Sequence, residues 1–164
     1  MEKLDNTQVT MNKPKICFAA SSGGHFEQLL MLRPLMEKYD SFVITEETLY
    51  KAQIKNQKMY YLKQVNRKEW LFIPRMIFNI FRSIQIYKAE KPDVVICTGV
   101  LAMLPICIIS KIAGKKLIYI ESFAKVSSAT KSGQLLYRFA DQFYVQWKQM
   151  LEIYPKAIYI GGIY

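Results

Sequence analysis

The sequence has little histidine and little cysteine, and each scarcity excludes a class of site. One histidine and three cysteines occur among 164 residues. The cysteines lack the spacing of metal ligands, and their odd number favours a reducing compartment over a disulfide framework. No Asp-x-Asp motif or His/Cys cluster is present in the sequence. We therefore expect neither a metal ion nor another cofactor.

Long hydrophobic runs are also missing. The longest, residues 94–109, is shorter than the roughly 20 residues of a membrane-spanning helix, and Thr98-Gly99 and Pro105 interrupt it. Residues 1–13 are polar and lack the apolar core of a secretory signal. We expect a polar tail over residues 1–13 and a single domain over residues 14–164, in a protein that stays in the cytoplasm.

What the chain does contain is a regular alternation of strand and helix patterns. Strands are predicted at residues 15–20, 41–45, 59–62, 93–97, 116–120, 142–146 and 157–160. Helices are predicted at residues 25–38, 69–88, 100–113 and 134–140. Because strands and helices alternate throughout, the sequence predicts an α/β fold with a doubly wound, Rossmann-like parallel sheet.

A glycine-rich turn follows the first predicted strand and opens the first helix. It reads Ser21-Ser22-Gly23-Gly24-His25. The carboxyl ends of parallel strands are where open α/β sheets bind ligands, and the backbone N–H groups and hydroxyls at Ser22, Gly23 and Gly24 suit a phosphate or a carboxylate. The Gly-x-Gly-x-x-Gly spacing of dinucleotide sites is absent. The alternative is a tight turn in which Ser22 only caps the helix.

His25 and Glu121 are the candidate catalytic residues at this edge of the sheet. The His25 imidazole can act as a general base on an acceptor hydroxyl, and the alternative is a histidine that satisfies a local hydrogen bond. Two further strand ends carry polar or glycine residues, Thr98-Gly99 after the fourth strand and Glu121 after the fifth. Glu121 can accept hydrogen bonds from a hydroxylated ligand, orient His25, or cap a nearby helix.

Positive charge is concentrated in one region of the chain. The net charge is +10 at pH 7, and residues 51–91 contain ten Lys or Arg against Glu69 and Glu90. Such a region attracts nucleic-acid phosphates, anionic lipid headgroups or a pyrophosphate-bearing substrate. Because no nucleic-acid-binding motif is present, we expect no nucleic-acid partner.

The helix predicted at residues 69–88 is apolar around more than half of its circumference. A helix packed on a sheet needs only one apolar face, so the excess predicts contact with a membrane surface. The expected contact residues are Trp70, Phe72, Arg75, Phe78 and Arg82. The alternative is an ordinary core helix beneath another layer.

Taken in order, five segments of the chain resemble a known family. They are residues 21–25, residues 91–95 with Thr98-Gly99, residues 120–122, residues 133–141 and residues 145–147. The set is similar to the membrane-anchor subunit of the split N-acetylglucosaminyltransferase of asparagine-linked glycosylation, whose bacterial relatives are capsule and exopolysaccharide biosynthesis proteins. The resemblance extends over about residues 15–164.

This resemblance implies a fold equivalent to the amino-terminal half of a two-Rossmann-domain (GT-B) glycosyltransferase, related to the peptidoglycan enzyme that makes lipid II. The other half of such enzymes holds the nucleotide sugar, so the implied partner is a separate donor-binding glycosyltransferase subunit. The implied reaction is inverting transfer from a UDP-sugar to a polyprenyl-diphosphate-linked sugar acceptor. In the alternative, the chain is a non-catalytic recruiter that brings the partner to the membrane and activates it.

The same resemblance assigns roles by position. Gly23, Gly24 and His25 correspond to the place of the acceptor pyrophosphate and the attacking hydroxyl. Thr98-Gly99 and Glu121 line the same cleft.

Membrane attachment is where the chain departs from that family. The eukaryotic subunit carries an amino-terminal membrane span, whereas residues 1–13 here are polar. The basic region can supply attachment instead, at roughly 1 kcal/mol for each cation near an anionic surface. We expect a peripheral protein at the cytoplasmic face of the cell membrane.

Overall fold

The computed structural model describes residues 13–49, 53–99 and 101–164. The strands are β1 (Ile16–Ala19), β2 (Ser41–Glu47), β3 (Lys58–Lys63), β4 (Val94–Cys97), β5 (Lys116–Ile120), β6 (Gln142–Val145) and β7 (Ile158–Tyr159). The helices are α1 (Gly24–Leu30), α2 (Arg33–Lys38), α3 (Phe72–Glu90), α4 (Leu104–Ile112), α5 (Lys131–Leu136) and α6 (Met150–Ile153), and a 3₁₀ turn at Leu101–Met103 precedes α4. The predicted tail, apart from Lys13, and the predicted helix start at residue 100 lie outside the described residues.

The seven strands form one parallel sheet in the order β3-β2-β1-β4-β5-β6-β7. β1 lies between β2 and β4, with Ile16 opposite both Ser41 and Val94. The strand order changes direction between β1 and β4, and ligands of open α/β sheets bind at the carboxyl end of such a switch point. The prediction of a doubly wound, Rossmann-like sheet is therefore confirmed.

Side chains of β1 alternate between two hydrophobic cores. Cys17 and Ala19 point into the core that contains residues of α3, α4, α5 and α6. Ile16 and Phe18 point into the core beneath α1 and α2. A strand that is buried on both faces carries a continuous apolar run, which is how β1 could be recognised in the sequence.

The first helix differs from the prediction. Residues 25–38 were expected to form one helix, but α1 ends at Leu30 and α2 begins at Arg33. Pro34 lies in the first turn of α2. Because its ring clashes with the carbonyl group four residues earlier and it lacks a backbone N–H, Pro34 excludes a continuous helix through this segment.

The fifth helix begins earlier than predicted. It starts at Lys131 rather than at residue 134, because Thr130 caps it: the Thr130 hydroxyl oxygen accepts a hydrogen bond from the Gly133 N–H at 2.8 Å. The four-residue helix α6 was not predicted, since one turn is too short to show a hydrophobic period.

Glu90 ends α3 at the amino edge of the sheet. Its side chain is 3% exposed, and the ammonium groups of Lys15 and Lys58 lie 2.6 and 2.5 Å from its oxygens. The Tyr60 hydroxyl donates a further hydrogen bond to it. Burial by itself raises the pKa of this carboxyl group, but the three donors outweigh burial and lower the pKa of Glu90 from 4.5 to about 2.

We expect Glu90→Gln to reduce the free energy of unfolding near neutral pH by at most roughly 3 kcal/mol. A carboxyl group whose pKa is lowered by folding stabilises the folded state above its unfolded pKa. This contribution is therefore complete above about pH 5 and is lost as the pH falls toward 2. Urea titrations at a series of pH values should show the gap between wild type and variant closing over this interval. The control is Glu152→Gln on the surface of α6, and a gap for Glu90→Gln that stays constant into acid would contradict the assignment.

Candidate functional site

The turn that follows β1 has an open outer face. Gly23 has φ 75° and ψ −141°, a backbone conformation that residues with a side chain rarely adopt. Gly23 and Gly24 are exposed, and a Cβ atom built on either glycine would have no heavy atom within 4 Å. A ligand can therefore approach the backbone of this turn closely.

His25, the second residue of α1, is tied to the end of β4 by two hydrogen bonds. Its Nδ1 lies 2.8 Å from the carbonyl oxygen of Thr98, and the Thr98 hydroxyl donates to the carbonyl oxygen of His25 at 2.9 Å. Because a carbonyl oxygen only accepts, Nδ1 carries the proton of the neutral ring and Nε2 keeps its lone pair. The ring is half-buried, so a basic nitrogen is held in a defined position at the switch point.

Thr98 and Gly99 lie beneath the turn rather than lining an open cleft, since both are buried. A Cβ atom at Gly99 would lie 2.7 Å from the Ser21 Oγ and 2.8 Å from the His25 Cβ. Glycine at this position therefore allows the segments after β1 and β4 to pack against each other. The two residues support His25 from below.

Ser22 is held by a carboxylate that the sequence interpretation missed. Its backbone N–H and its hydroxyl both donate to Glu46 Oε2, at 3.0 and 2.9 Å. Glu46 is buried near the end of β2. Since both Ser22 donors are satisfied, an anion at the turn has to be bound by other groups. An acidic residue at the end of an otherwise apolar strand was the signal available in the sequence.

Glu121 is 1% exposed, and its carboxylate collects four hydrogen-bond donors from its own chain. They are the hydroxyls of Tyr119, Thr130 and Tyr154, and the backbone N–H of Ser122. Among the described residues, no hydrogen bond joins Glu121 to His25. The carboxylate therefore faces its own chain rather than an open cleft, and through the α5 cap residue Thr130 it anchors that helix.

Two buried glutamines connect the loop after β5 to its surroundings, and both were missed as positioning residues. Gln28 of α1 donates to the Glu121 carbonyl oxygen at 3.3 Å and accepts from the Phe123 N–H at 3.1 Å. Gln146, after β6, donates to the same carbonyl oxygen at 2.9 Å and accepts from the Ile163 N–H at 3.1 Å. A polar side chain within the apolar stripe of α1 was the signal for Gln28.

The helix α3 and the residues before it expose much of the predicted apolar surface, although not at every predicted residue. Trp70 is 88% exposed and Phe78 is 48% exposed. Phe72, by contrast, packs against the core and is not a surface residue of this kind. The exposed apolar side chains also include Ile73, Ile77, Ile80 and Phe81 on α3 and Ile108 and Ile112 on α4.

The two predicted arginines are only half-exposed. Arg75 forms an ion pair with Glu69 at 2.5 Å, and Arg82 donates to the side chain of Gln85 at 3.3 Å. The Arg75 charge is thus partly neutralised within the chain. Of the helices in the described ranges, none is both long enough and apolar enough to span a membrane.

Comparison with known families decides where the chain belongs. Residues 16–163 match the family described as "Oligosaccharide biosynthesis protein Alg14 like". The chain is a member of this Alg14-like family. Proteins named "UDP-N-acetylglucosamine transferase subunit ALG14" are similar to it: the rat protein is 31% identical, with 90% of this chain and 82% of the rat protein covered. The Schizosaccharomyces pombe protein is 30% identical, with 85% and 79% covered.

The Alg14-like chain is also similar in fold to larger enzymes. Acinetobacter baumannii MurG matches with a TM-score of 0.67 and 16% identity, over 83% of this chain and 42% of MurG. A UDP-GlcNAc 2-epimerase from Methanocaldococcus jannaschii matches with a TM-score of 0.66 and 11% identity, over 90% and 45%. The Alg14-like chain thus spans less than half of each of these proteins. Its fold is that of the amino-terminal domains of GT-B glycosyltransferases such as MurG.

Proposed function

We propose that the chain is the acceptor-binding, membrane-contacting subunit of a heteromeric inverting glycosyltransferase. In this proposal residues 14–164 form the domain that binds a polyprenyl-diphosphate-linked sugar, and a separate partner binds the UDP-sugar. The names of the relatives support UDP-N-acetylglucosamine as the donor and support at least one further subunit. The fold, which is similar to that of MurG over 42% of that protein, supports a role within a glycosyltransferase of this type.

The observation that carries the proposal is the hydrogen bond between His25 Nδ1 and the Thr98 carbonyl oxygen beside the open turn, because in the neutral ring it leaves Nε2 as the proton acceptor. Nε2 takes the proton from the acceptor hydroxyl while the hydroxyl oxygen attacks the anomeric carbon of the donor. The new carbon–oxygen bond forms, the bond from that carbon to UDP breaks, and UDP leaves with the electron pair. The exposed backbone at Gly23 and Gly24 receives the acceptor diphosphate, since no side chain blocks its approach.

The remaining candidate residues act in this proposal by holding the site. Ser22 is fixed to Glu46, and Thr98 orients the ring of His25. Gly99 permits the close packing beneath the turn. Glu121 anchors the loop after β5, which is linked to α1 through Gln28, so its effect on the reaction is indirect.

The product is proposed to be an oligosaccharide of a capsule or an exopolysaccharide. The five sequence segments resemble a family whose bacterial relatives are proteins of those pathways, which supports this setting, and the family description supports oligosaccharide biosynthesis in general.

To test the function, the tagged chain is purified from detergent-solubilised membranes and its co-purifying proteins are identified by mass spectrometry. Transfer from UDP-sugars to polyprenyl-diphosphate-linked sugars is then measured for the chain, the partner and the two together. We expect a stoichiometric partner with a nucleotide-sugar-binding domain, and transfer only by the pair. Transfer by the chain alone, or no partner and no transfer, would contradict the proposal.

We propose that α3 and α4 face the cytoplasmic surface of the cell membrane. Seven of the exposed apolar side chains lie on these two neighbouring helices, and the flanking segments are rich in lysine and arginine. The combination of apolar surface with basic flanks is typical of proteins that lie on an anionic bilayer without crossing it.

Replacing Ile77 and Phe81 together by Asp is expected to weaken binding of the chain to vesicles containing phosphatidylglycerol by at least about tenfold, because each large apolar side chain contributes on the order of 1.5–3 kcal/mol when fully buried. Vesicle sedimentation measures the affinity. The matched control places Asp at Met31, directly after α1, and at Leu135 of α5, two exposed apolar side chains that lie outside α3 and α4. Equal binding by the α3 variant and the control would exclude α3 as the membrane surface.

A further inference from the structure

A recessed apolar groove separates α3 from α4. Its lining consists of Met76, Ile80, Leu104, Pro105, Ile108 and Ile109, and its volume is about 260 Å³. Ile80 and Ile108 are 41% and 37% exposed, so the groove opens to the surface. Every lining side chain is apolar and offers no hydrogen bond to water, so replacement of water there by hydrocarbon is favourable.

The size and lining of the groove select a slender occupant. Its volume lies below the roughly 300–1,000 Å³ of pockets for drug-sized ligands. An α-helix of a partner protein is about 10–12 Å wide with its side chains and needs a broader groove. A ring system with polar groups would find no hydrogen-bond partner inside. A single flexible hydrocarbon chain is narrow enough for the groove and needs no hydrogen-bond partner inside it.

The groove begins at the same edge of the sheet as the candidate site. α3 and α4 each follow the carboxyl end of a strand, so their first turns lie at the same edge of the sheet as His25. α4 starts at Leu104, five residues after Gly99, which packs directly against His25. From Leu104 to Ile109 the groove follows α4 over about 7.5 Å. A molecule with its diphosphate at the Gly23–Gly24 turn can therefore lay its hydrocarbon chain along the groove.

We propose that the groove between α3 and α4 binds the diphosphate-proximal part of the acceptor's polyprenyl chain, an inference that rests on the proposed function. Acyl chains of the bilayer are the competing source of hydrocarbon. The position of the groove favours the acceptor, because the groove starts at the edge of the sheet that carries the turn proposed to receive the acceptor's diphosphate. An acyl chain is not anchored at the Gly23–Gly24 turn, so it should contact the exposed apolar side chains around the groove as readily as the groove itself.

The test uses photolabelling of the full chain bound to phosphatidylglycerol vesicles. One probe is a polyprenyl diphosphate with a diazirine in an isoprene unit near the diphosphate, and the other is a phospholipid with a diazirine in its acyl chain. We expect the first probe to label the peptides that contain Ile80 and Ile108, in competition with unlabelled polyprenyl diphosphate. We expect the phospholipid probe to label outer positions such as Ile73. Equal labelling of the groove by both probes, or no labelling by the polyprenyl probe, would overturn the inference.

Filling the groove provides the matched variants. Ile108→Trp should reduce polyprenyl labelling at least tenfold without weakening binding to vesicles, because tryptophan keeps this membrane-facing position apolar, whereas Ile112→Trp, at an 82% exposed position of the same helix, should reduce neither. Ile108→Asn is the second variant, and it should lower labelling because its side chain is polar rather than because it is bulky. Circular dichroism checks that each variant is folded. Unchanged labelling in both Ile108 variants would overturn the inference.

Because photolabelling does not depend on sugar transfer, the experiments can reject the proposed groove and the proposed function independently of each other. A labelled groove in a complex that transfers no sugar supports the groove and counts against the function. An unlabelled groove in an active complex overturns the groove and leaves the function standing.

Discussion

The complex that carries His25→Ala is expected to transfer sugar about 10²- to 10⁴-fold more slowly than the wild-type complex, which is the contribution typical of a general base. The reason is the loss of Nε2, which becomes the proton acceptor of the neutral ring when Nδ1 donates its hydrogen bond to the Thr98 carbonyl oxygen. Because Gly23 and Gly24 are untouched, the change should fall on kcat more than on KM for the acceptor. Steady-state kinetics with the partner subunit present measure both constants.

His25→Asn separates the chemical role of the residue from its structural role. The Asn amide N–H can replace the Nδ1 donor to Thr98, but no atom replaces Nε2. We expect the Asn variant to be as slow as the Ala variant and to unfold at nearly the wild-type temperature. Full activity of both variants would remove the base assignment and favour the alternative in which the chain only recruits and activates its partner.

Gly133→Ala is expected to destabilise the chain by roughly 3–5 kcal/mol, through overpacking and the loss of buried hydrogen bonds. A methyl group at this buried position of α5 would collide with Glu121 Oε2 and lie 2.7 Å from the Thr130 hydroxyl oxygen and 2.8 Å from that of Tyr154. Those are the groups that the Glu121 carboxylate holds together. Guanidinium titration of the purified chain measures the change.

The Tyr119 and Tyr154 hydroxyls of that cluster keep their protons at neutral pH. Burial, followed by the charge of the neighbouring Glu121, raises the pKa of Tyr119 and of Tyr154 well above that of free tyrosine. Both therefore keep their protons and remain donors to the carboxylate. Displacement of the carboxylate by a methyl group would leave these donors buried without their acceptor, which is the costly outcome.

Gly24→Ala is the matched control for this substitution. A Cβ atom there meets no heavy atom within 4 Å, and alanine suits the first turn of a helix, so stability should stay within about 1 kcal/mol of wild type and rise if it changes. If Gly133→Ala is as stable as Gly24→Ala, α5 can shift away from Glu121 at little cost, and the cluster is not the rigid anchor described above.

The strands and helix ends that the sequence predicted well are those determined by residues close together in the chain. The apolar runs of β1 and β4 gave strands because both faces of these strands are covered. The long helix α3 ends at Glu90, directly before Lys91-Pro92, because a proline disfavours helical backbone in the residue that precedes it. The first helix was predicted wrongly as continuous because the periodicity was weighed above Pro34, the stronger local signal.

The polar residues of the site were harder to predict, because their roles depend on partners far along the chain. Ser22 is satisfied by Glu46, 24 residues away, and His25 by Thr98, 73 residues away. Glu121 is joined to Tyr154, 33 residues away. No local pattern identifies such pairs. The sequence could therefore indicate these residues, but it could not show whether each one contacts a ligand or holds another residue of the site in place.

By itself, the sequence determined the class of sheet, the place of the glycine turn and the presence of an unusually apolar helix, since each follows from periodicity and backbone freedom within a few residues. Only the tertiary structure decided that Glu121 and Thr98 are buried, that His25 Nδ1 is hydrogen-bonded to the Thr98 carbonyl oxygen and that α3 and α4 enclose an apolar groove. These properties arise where strands and helices distant in sequence meet, and only folding brings their side chains within hydrogen-bonding and packing distance.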